Sequence, residues 1–304
     1  MIDALLLFLA FALGAALSRT SLCAVASVQQ AMLARDYAGL RRLALAACGA
    51  GVVLLPLAGL RPDAVLLPGP VAFHAGIIVG GLLLGVGALL NGGCYLGSVL
   101  YLGSGNLNFL FTLAGIGAGV RATELLAGFP DSAATMPRPA MGPLWMFGVG
   151  GFALVIAALL LPRLRSAAAW LAVGTGVLAG LVYARRPGWS YGTVLDSLAH
   201  GRHALMDWTA NLSALLLFAG ALAGAALAGR FRLQRPTPWR ALRCAAGGLV
   251  MGFGAALVPG GNDMLLLWAI PGLTIYGALA YGVMLAVIAA GFLAAMRGRG
   301  GTVD

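Results

Sequence analysis

Residues 81–106 read Gly81-Leu-Leu-Leu-Gly-Val-Gly-Ala-Leu-Leu-Asn-Gly-Gly-Cys94-Tyr-Leu-Gly-Ser-Val-Leu-Tyr-Leu-Gly-Ser-Gly-Asn106. The stretch starts as an apolar helix, breaks at Asn91-Gly92-Gly93, restarts at Cys94 and breaks again at Gly103-Ser104-Gly105. A plain membrane span is not written this way. Irregular backbone at membrane depth survives only where protein or a watery cavity covers it. The restart presents the free N–H groups of a helix N-terminus, which attract anions. Transporters build their substrate sites from such discontinuous helices. Cys94 stands at that N-terminus, where a thiol is readily activated.

The rest of the chain is written in the same apolar language. Of 304 residues, 61% are hydrophobic and 9% charged, with a mean hydropathy of +0.96. Several runs reach the roughly 17–25 residues a bilayer span needs. The composition therefore defines an all-α polytopic membrane protein, and 46 glycines suit close helix packing and broken helices. The net charge of +10 comes from arginine alone, since the chain has no lysine. These arginines are scattered over short loops, which points to positive-inside topology and away from nucleic acid. The N-terminus lacks a basic leader, so residues 5–17 read as mature helix. The four cysteines, Cys23, Cys48, Cys94 and Cys244, have no zinc or CxxC spacing. No cofactor signature is present.

Taken in order, residues 5–17 form a helix that breaks at Ser18-Arg19-Thr20-Ser21 and restarts at Leu22-Cys23, running to residue 34. Residues 43–60 span, 71–90 lead into the broken stretch, and 107–127 span again. A Pro-rich loop, 128–143, precedes a span at 144–161. Residues 167–183 break at Arg185-Arg186-Pro187-Gly188, and a short helix follows at 190–199. Residues 211–228 span. Residues 244–257 enter the membrane, break at 258–262, and continue as a short apolar piece, 263–270. Residues 273–296 span last. The reading gives about nine transmembrane helices and four short broken or re-entrant ones. Loops 35–42, 162–166, 230–243 and 297–299 hold twelve of the nineteen arginines, against Arg61, Arg138 and Arg202 opposite. That asymmetry predicts an outside N-terminus and a cytoplasmic C-terminus.

The halves repeat. Gly81, Gly85 and Gly87 align with Gly248, Gly252 and Gly254, and Gly92-Gly93-Cys94 with Gly260-Gly261-Asn262. Gly14, Arg19 and Cys23 align with Gly180, Arg185 and Trp189. Residues 1–130 are read as repeat one and 166–304 as repeat two of a single membrane domain. The linking helix at 144–161 inverts the second repeat.

The Gly-x-x-x-Gly-x-Gly approach to Gly93-Cys94, the Ser18-Arg19-Thr20-Ser21-Leu22-Cys23 segment and the duplication resemble the YeeE/YedE family of sulfur transporters over nearly the whole chain. The resemblance implies an hourglass of nine spanning helices with short re-entrant helices meeting at its centre, in a bacterial inner membrane. It implies import of a small sulfur-containing anion, typically thiosulfate, past central cysteine thiols. It also implies a TusA-like cytoplasmic sulfurtransferase as partner. Two central cysteines map onto Cys23 and Cys94. The third position holds Asn262, and the usual Gly-Cys-Thr-x-Gly-His run appears as Gly93-Cys94-Tyr95-Leu96-Gly97-Ser98.

Each candidate residue carries more than one reading. Cys94 and Cys23 are pathway thiols or small packed residues. Arg19 and Arg185 neutralise an anion or snorkel to headgroups. Asp263, a carboxylate at membrane depth, lines the pathway, joins a salt bridge or, like Asn262, caps the short helix. Asn91 serves the site or satisfies free backbone beside Gly93. Tyr95 and Trp189 close the constriction or fill the core. Cys48 and Cys244 read as packing residues, and His74, His200 and His203 as solvated. Trp145 and Trp239 belong to an interfacial belt.

The first function expected is a sulfur-anion transporter. The alternatives are a channel or carrier for another solute (a different sulfur or selenium species, or a cation) and a sulfur-relay protein using thiol exchange. No catalytic or metal-ligand set supports an enzyme.

Overall fold

The computed structural model describes residues 3–69, 71, 73–127, 144–199, 208–258 and 260–300. The expected loop at 128–143, the break residue Pro259, and His200, Arg202 and His203 lie outside them. Among the described residues the chain is helical, with an isolated bridge joining Asn106 to Gln234.

The helices of the first half are α1 (Ala4–Thr20), α2 (Ala24–Leu33), α3 (Ala38–Leu60), α4 (Ala75–Asn91), α5 (Tyr95–Gly103) and α6 (Phe109–Ala127). Next comes α7 (Leu144–Leu160). The second half holds α8 (Ala167–Arg185), α9 (Tyr191–Ala199), α10 (Trp208–Leu227), α11 (Pro238–Leu257), α12 (Asn262–Met264, passing into a π-helical turn Leu265–Ala269) and α13 (Ile275–Gly300).

Six stretches are long and apolar enough to cross a membrane: Ala4–Leu33, Ala38–Leu60, Ala75–Gly103, Ala167–Arg185, Trp208–Leu227 and Ile275–Arg297. The pair Pro238–Leu257 and Asn262–Ala269, bent by 55°, makes a seventh if counted as one span. Phe109–Thr123 and Leu144–Leu160 are shorter apolar helices. Large apolar side chains such as Phe8, Phe147, Leu154 and Leu215 stand exposed on the outer faces, as a lipid-facing surface requires. The chain is a multi-pass membrane protein.

The four expected breaks share one backbone device. Each turns on a residue with positive φ: Ser21 (54°), Gly92 (74°), Gly188 (71°) and Gly260 (92°). At Gly92 the left-handed turn lets the Gly93 N–H reach back to the Ala88 carbonyl at 3.1 Å. This closes α4 with a Schellman-type bond that a residue with a Cβ would strain.

Helix packing follows the small residues. α1 runs alongside α10, where a Cβ on Gly14 would collide with the backbone of Leu217 and one on Gly220 with Phe11. α3 and α8 pair in the same parallel sense through Gly176 against Ala46 and Gly180 against Ala50. α4 and α11 cross antiparallel, Gly80 facing Gly254 and Gly87 facing Gly247. α6 lies parallel to α11, and α13 parallel to α4.

Two helix starts differ most from the sequence reading: α3, expected from residue 43, begins at Ala38 and carries Arg41 and Arg42, read as a turn. The helix expected from residue 244 begins at Pro238, six residues earlier. Proline at a first helical position forfeits no hydrogen bond and pre-sets φ. Trp239, Arg240 and Arg243, read as loop, therefore ride on the first turns of α11.

Candidate functional site

The site is built where the first-half breaks meet the second-half breaks. Cys23 precedes α2 and Cys94 precedes α5, each in extended conformation as the N-cap residue. Both thiols are buried, with their sulfurs 3.9 Å apart. The Cys94 sulfur accepts the N–H of Gly97 from its own helix at 3.3 Å. It also accepts the N–H of Ala24, the first residue of α2, at 3.3 Å. Two short-helix N-termini from different breaks thus converge on one sulfur atom.

Gly97 keeps that space open. A Cβ there would lie 2.6 Å from the Cys23 sulfur and 3.5 Å from that of Cys94. Side-chain bonds fix the α4–α5 break behind the thiols. Asn91 Nδ2 donates to the Gly93 carbonyl at 2.7 Å and to Ser98 Oγ at 3.1 Å. The Thr112 hydroxyl donates to Asn91 Oδ1 at 2.7 Å, and Ser98 Oγ donates to the Cys94 carbonyl at 3.0 Å. Asn91 thus satisfies the backbone at Gly93 and ties the break to Ser98 and Thr112.

The second half supplies the opposite wall. Asn262 Oδ1 accepts the N–H of Leu96, in the first turn of α5, at 3.3 Å. It does not cap its own helix, where Gly261 is the N-cap and no side-chain cap bond forms. The capping reading of Asn262 is thereby corrected: its amide is spent across the repeat boundary, while the Asp263 carboxyl takes backbone N–H groups of the short helix's first turn, those of Asp263 and Met264. Tyr95 is buried, its ring 5.5 Å from that of Tyr191, and its carbonyl accepts the Tyr191 hydroxyl at 2.7 Å. Asp263 is 5% exposed and hydrogen-bonds Ser190, but its Oδ1 has no hydrogen-bond partner. The salt-bridge reading of Asp263 has no counterpart among the described residues.

The arginines singled out in the sequence are not brought to the thiols. Arg185 is tied to Asp3 at the start of α1, Nε to Oδ2, at 2.7 Å. The Arg19 side chain is exposed. Trp189 is buried on the α8–α9 break, its indole N–H donating to the Ala210 carbonyl at 3.2 Å, so it anchors α10. Cys48 and Cys244 are buried on α3 and α11, apart from the thiol pair.

Several neighbours were missed in the sequence. A cavity of about 490 Å³ opens onto Cys23, lined also by Ser21, Tyr101, Ser104, Arg230 and Arg232. Arg230 braces its wall, Nη1 donating to Ser21 Oγ at 3.0 Å and Nη2 to the Ser18 carbonyl at 2.9 Å. It was counted only as one of a loop's arginines. Ser190 and Tyr191 had a signal: the offset pairing Cys23 with Trp189 sets Ser190 beside Ala24.

A family model described as Sulphur transport matches the chain twice, over residues 19–165 and 145–291. No curated protein matches the chain.

Proposed function

The chain belongs to the Sulphur transport (YeeE/YedE) family, and from that footing we propose that it imports a small sulfur-containing anion of the thiosulfate kind. The anion passes a central constriction between Cys23 and Cys94. The observation that carries this reading is the convergence of the Ala24 and Gly97 N–H groups on the Cys94 sulfur, with the second thiol 3.9 Å away. A centre that packs a thiol sulfur between two helix N-termini is polarised in favour of an anion beside it. Each N-terminus acts as about half a positive charge and favours an anion by roughly 0.3–2 kcal/mol. The thiols serve as S–H donors, and no covalent bond is made, so the protein is a transporter and not an enzyme.

On this reading the architecture is an hourglass of two inverted repeats, residues 1–130 and 166–304, linked by residues 144–161. The swapped pairing of α1 with α10 and of α8 with α3 supports it, as does the antiparallel crossing of α4 on α11. The six long helices and the bent pair, with the two shorter apolar helices taken as crossings too, are on this reading the nine crossings. The N-terminus lies outside and the C-terminus in the cytoplasm, with the protein in a bacterial inner membrane. The cavity beside Cys23 is then the cytoplasmic exit, and Arg230 and Arg232 draw the anion out. A TusA-like sulfurtransferase that takes up the sulfur there completes the picture.

Asp263 favours a second reading, a changed solute on the same scaffold, because a carboxylate at membrane depth repels a dianion. The test is thiosulfate uptake in cells lacking their own sulfate and thiosulfate importers. The first reading expects uptake with the wild type and none with a membrane-inserted Cys94→Ala variant. Equal uptake by both removes the thiol from the pathway. No uptake by well-expressed wild type favours the changed solute.

A further inference from the structure

The Asp263 carboxyl is built into the centre of the protein with no cation beside it: among the described residues its partners are the backbone N–H groups of Met264 and Asp263 and the Ser190 side chain. It is 5% exposed, and its Oδ1 accepts no hydrogen bond. The space for that oxygen is reserved: a Cβ on Gly261 would lie 2.7 Å from Oδ1 and 2.7 Å from the Tyr95 ring. Polar groups reach it from several sides. From α5 come the Cys94 thiol and the Tyr95 ring, from α9 Ser190 and Tyr191, and from α8 Tyr183. Tyr281 of α13 stands nearer the Cys94 and Cys23 thiols. The second half of α3, which runs beside α8, carries no titratable side chain. Among the described residues no arginine forms an ion pair with Asp263, and the chain has no lysine.

A buried carboxyl with no cation beside it can be held as the acid or as the carboxylate, and the two forms offer a substrate opposite things. The neutral acid has one O–H to donate. Among the described residues the Tyr281 hydroxyl, near the two thiols, is likewise buried without a partner. The centre therefore holds sulfur-binding groups at one end and unused polar groups beside them.

We propose that Asp263 is a protonation gate selecting a sulfur oxyanion. As a neutral acid it donates a hydrogen bond to an oxygen of the anion whose sulfur end lies at the thiols, and as a carboxylate it turns the anion back. The proposal rests on the anion-transport reading and narrows its substrate to species with both a sulfur end and oxygen acceptors. The acid keeps its proton throughout. The hydrogen bond to an anion is of the strong, charge-assisted kind. It explains how a carboxyl coexists with an anion pathway without a cation beside it.

Two readouts test it on purified full-length protein, wild type and Asp263→Asn. The first is the infrared difference spectrum between them, in the carbonyl-stretch region of protonated carboxylic acids, before and after adding thiosulfate, sulfite or sulfate. A protonated-acid band assigned to Asp263 that shifts with one of these anions is expected. The second is thiosulfate uptake into proteoliposomes against external pH. Wild-type uptake is expected to fall about tenfold per pH unit on its alkaline side, following the neutral fraction. The variant, whatever its absolute rate, is expected to lose that slope. No protonated-acid band, a band indifferent to all three anions, or identical pH slopes would overturn the gate. If wild type moves no thiosulfate, the transport reading fails on its own, and the infrared response to the three anions decides the gate.

Discussion

The backbone N–H of Ala24 points at the sulfur of Cys94, 3.3 Å away and 70 residues further along the chain. That contact joins two breaks, each able to present only one free helix end. Neither half-helix alone makes more than an N-terminus with a cysteine before it. Brought together, they surround a sulfur atom with two aligned donors and a second thiol. The fold places this arrangement deep in the protein, where a donor's partial charge is poorly screened.

Gly97 sets the width of the gap between the thiols. A Cβ there would stand 2.6 Å from the Cys23 sulfur. Gly97→Ala is expected to insert an atom where the substrate passes, at an overpacking cost of about 1–3 kcal/mol, or roughly 5- to 150-fold in uptake. Gly151→Ala, where a Cβ meets nothing within 4 Å, is expected to leave uptake unchanged. Uptake assays at matched membrane levels distinguish them, and equal activities would remove Gly97 from the pathway.

Asn91 is the keystone of the α4–α5 break, since one amide group serves Gly93, Ser98 and Thr112. Asn91→Ala leaves those buried groups without a partner, at about 1–3 kcal/mol per unsatisfied group. Thermal unfolding in detergent is expected to move down clearly, with uptake reduced because Cys94 loses its fixed position. An unchanged midpoint would mean the break holds itself.

Asp3 ties the start of α1 to the end of α8. Partial burial opposes its ionisation, but the Leu6 N–H and the Arg185 guanidinium outweigh this and hold its carboxyl below the usual carboxylate range. A depressed carboxyl stabilises the fold above its unfolded value, about 3.9, and loses that contribution as pH falls through the folded value. The side chains are 55% (Arg185) and 26% (Asp3) exposed, so the pair is worth at most about 1 kcal/mol at neutral pH. Arg185→Ala is expected to lower the unfolding midpoint slightly at neutral pH and not at all in acid. A loss that persists in acid would assign Arg185 a role beyond this pair.

The sequence made the breaks legible because each is written in residues that suit a left-handed turn or end a helix, and the same sites recur in both halves. It made Cys23 and Cys94 legible as candidates for the same reason. Their proximity was not legible, because only tertiary packing brings α2 against α5. Nor was the bond from Leu96 to Asn262, which spans 166 residues. Arg230 was hidden by a sufficient explanation: a cluster of five loop arginines already satisfied the positive-inside rule. Arg19 and Arg185 drew attention as charges at breaks, yet a helix end faces outward as readily as inward, and Arg185 meets Asp3. The start of α11 was missed because arginines at 240 and 243 looked like loop, when Pro238 had already set the helix.

The most direct measurement of the central claim is uptake through a reversibly cross-linked pair. In a Cys48→Ala, Cys244→Ala background reconstituted in proteoliposomes, mild oxidation is expected to join Cys23 to Cys94, whose sulfurs lie 3.9 Å apart. Mass spectrometry identifies the linked peptides. Thiosulfate uptake is expected to stop on oxidation and return on reduction. Uptake that continues through a fully cross-linked protein would show that the anion does not pass between the two thiols.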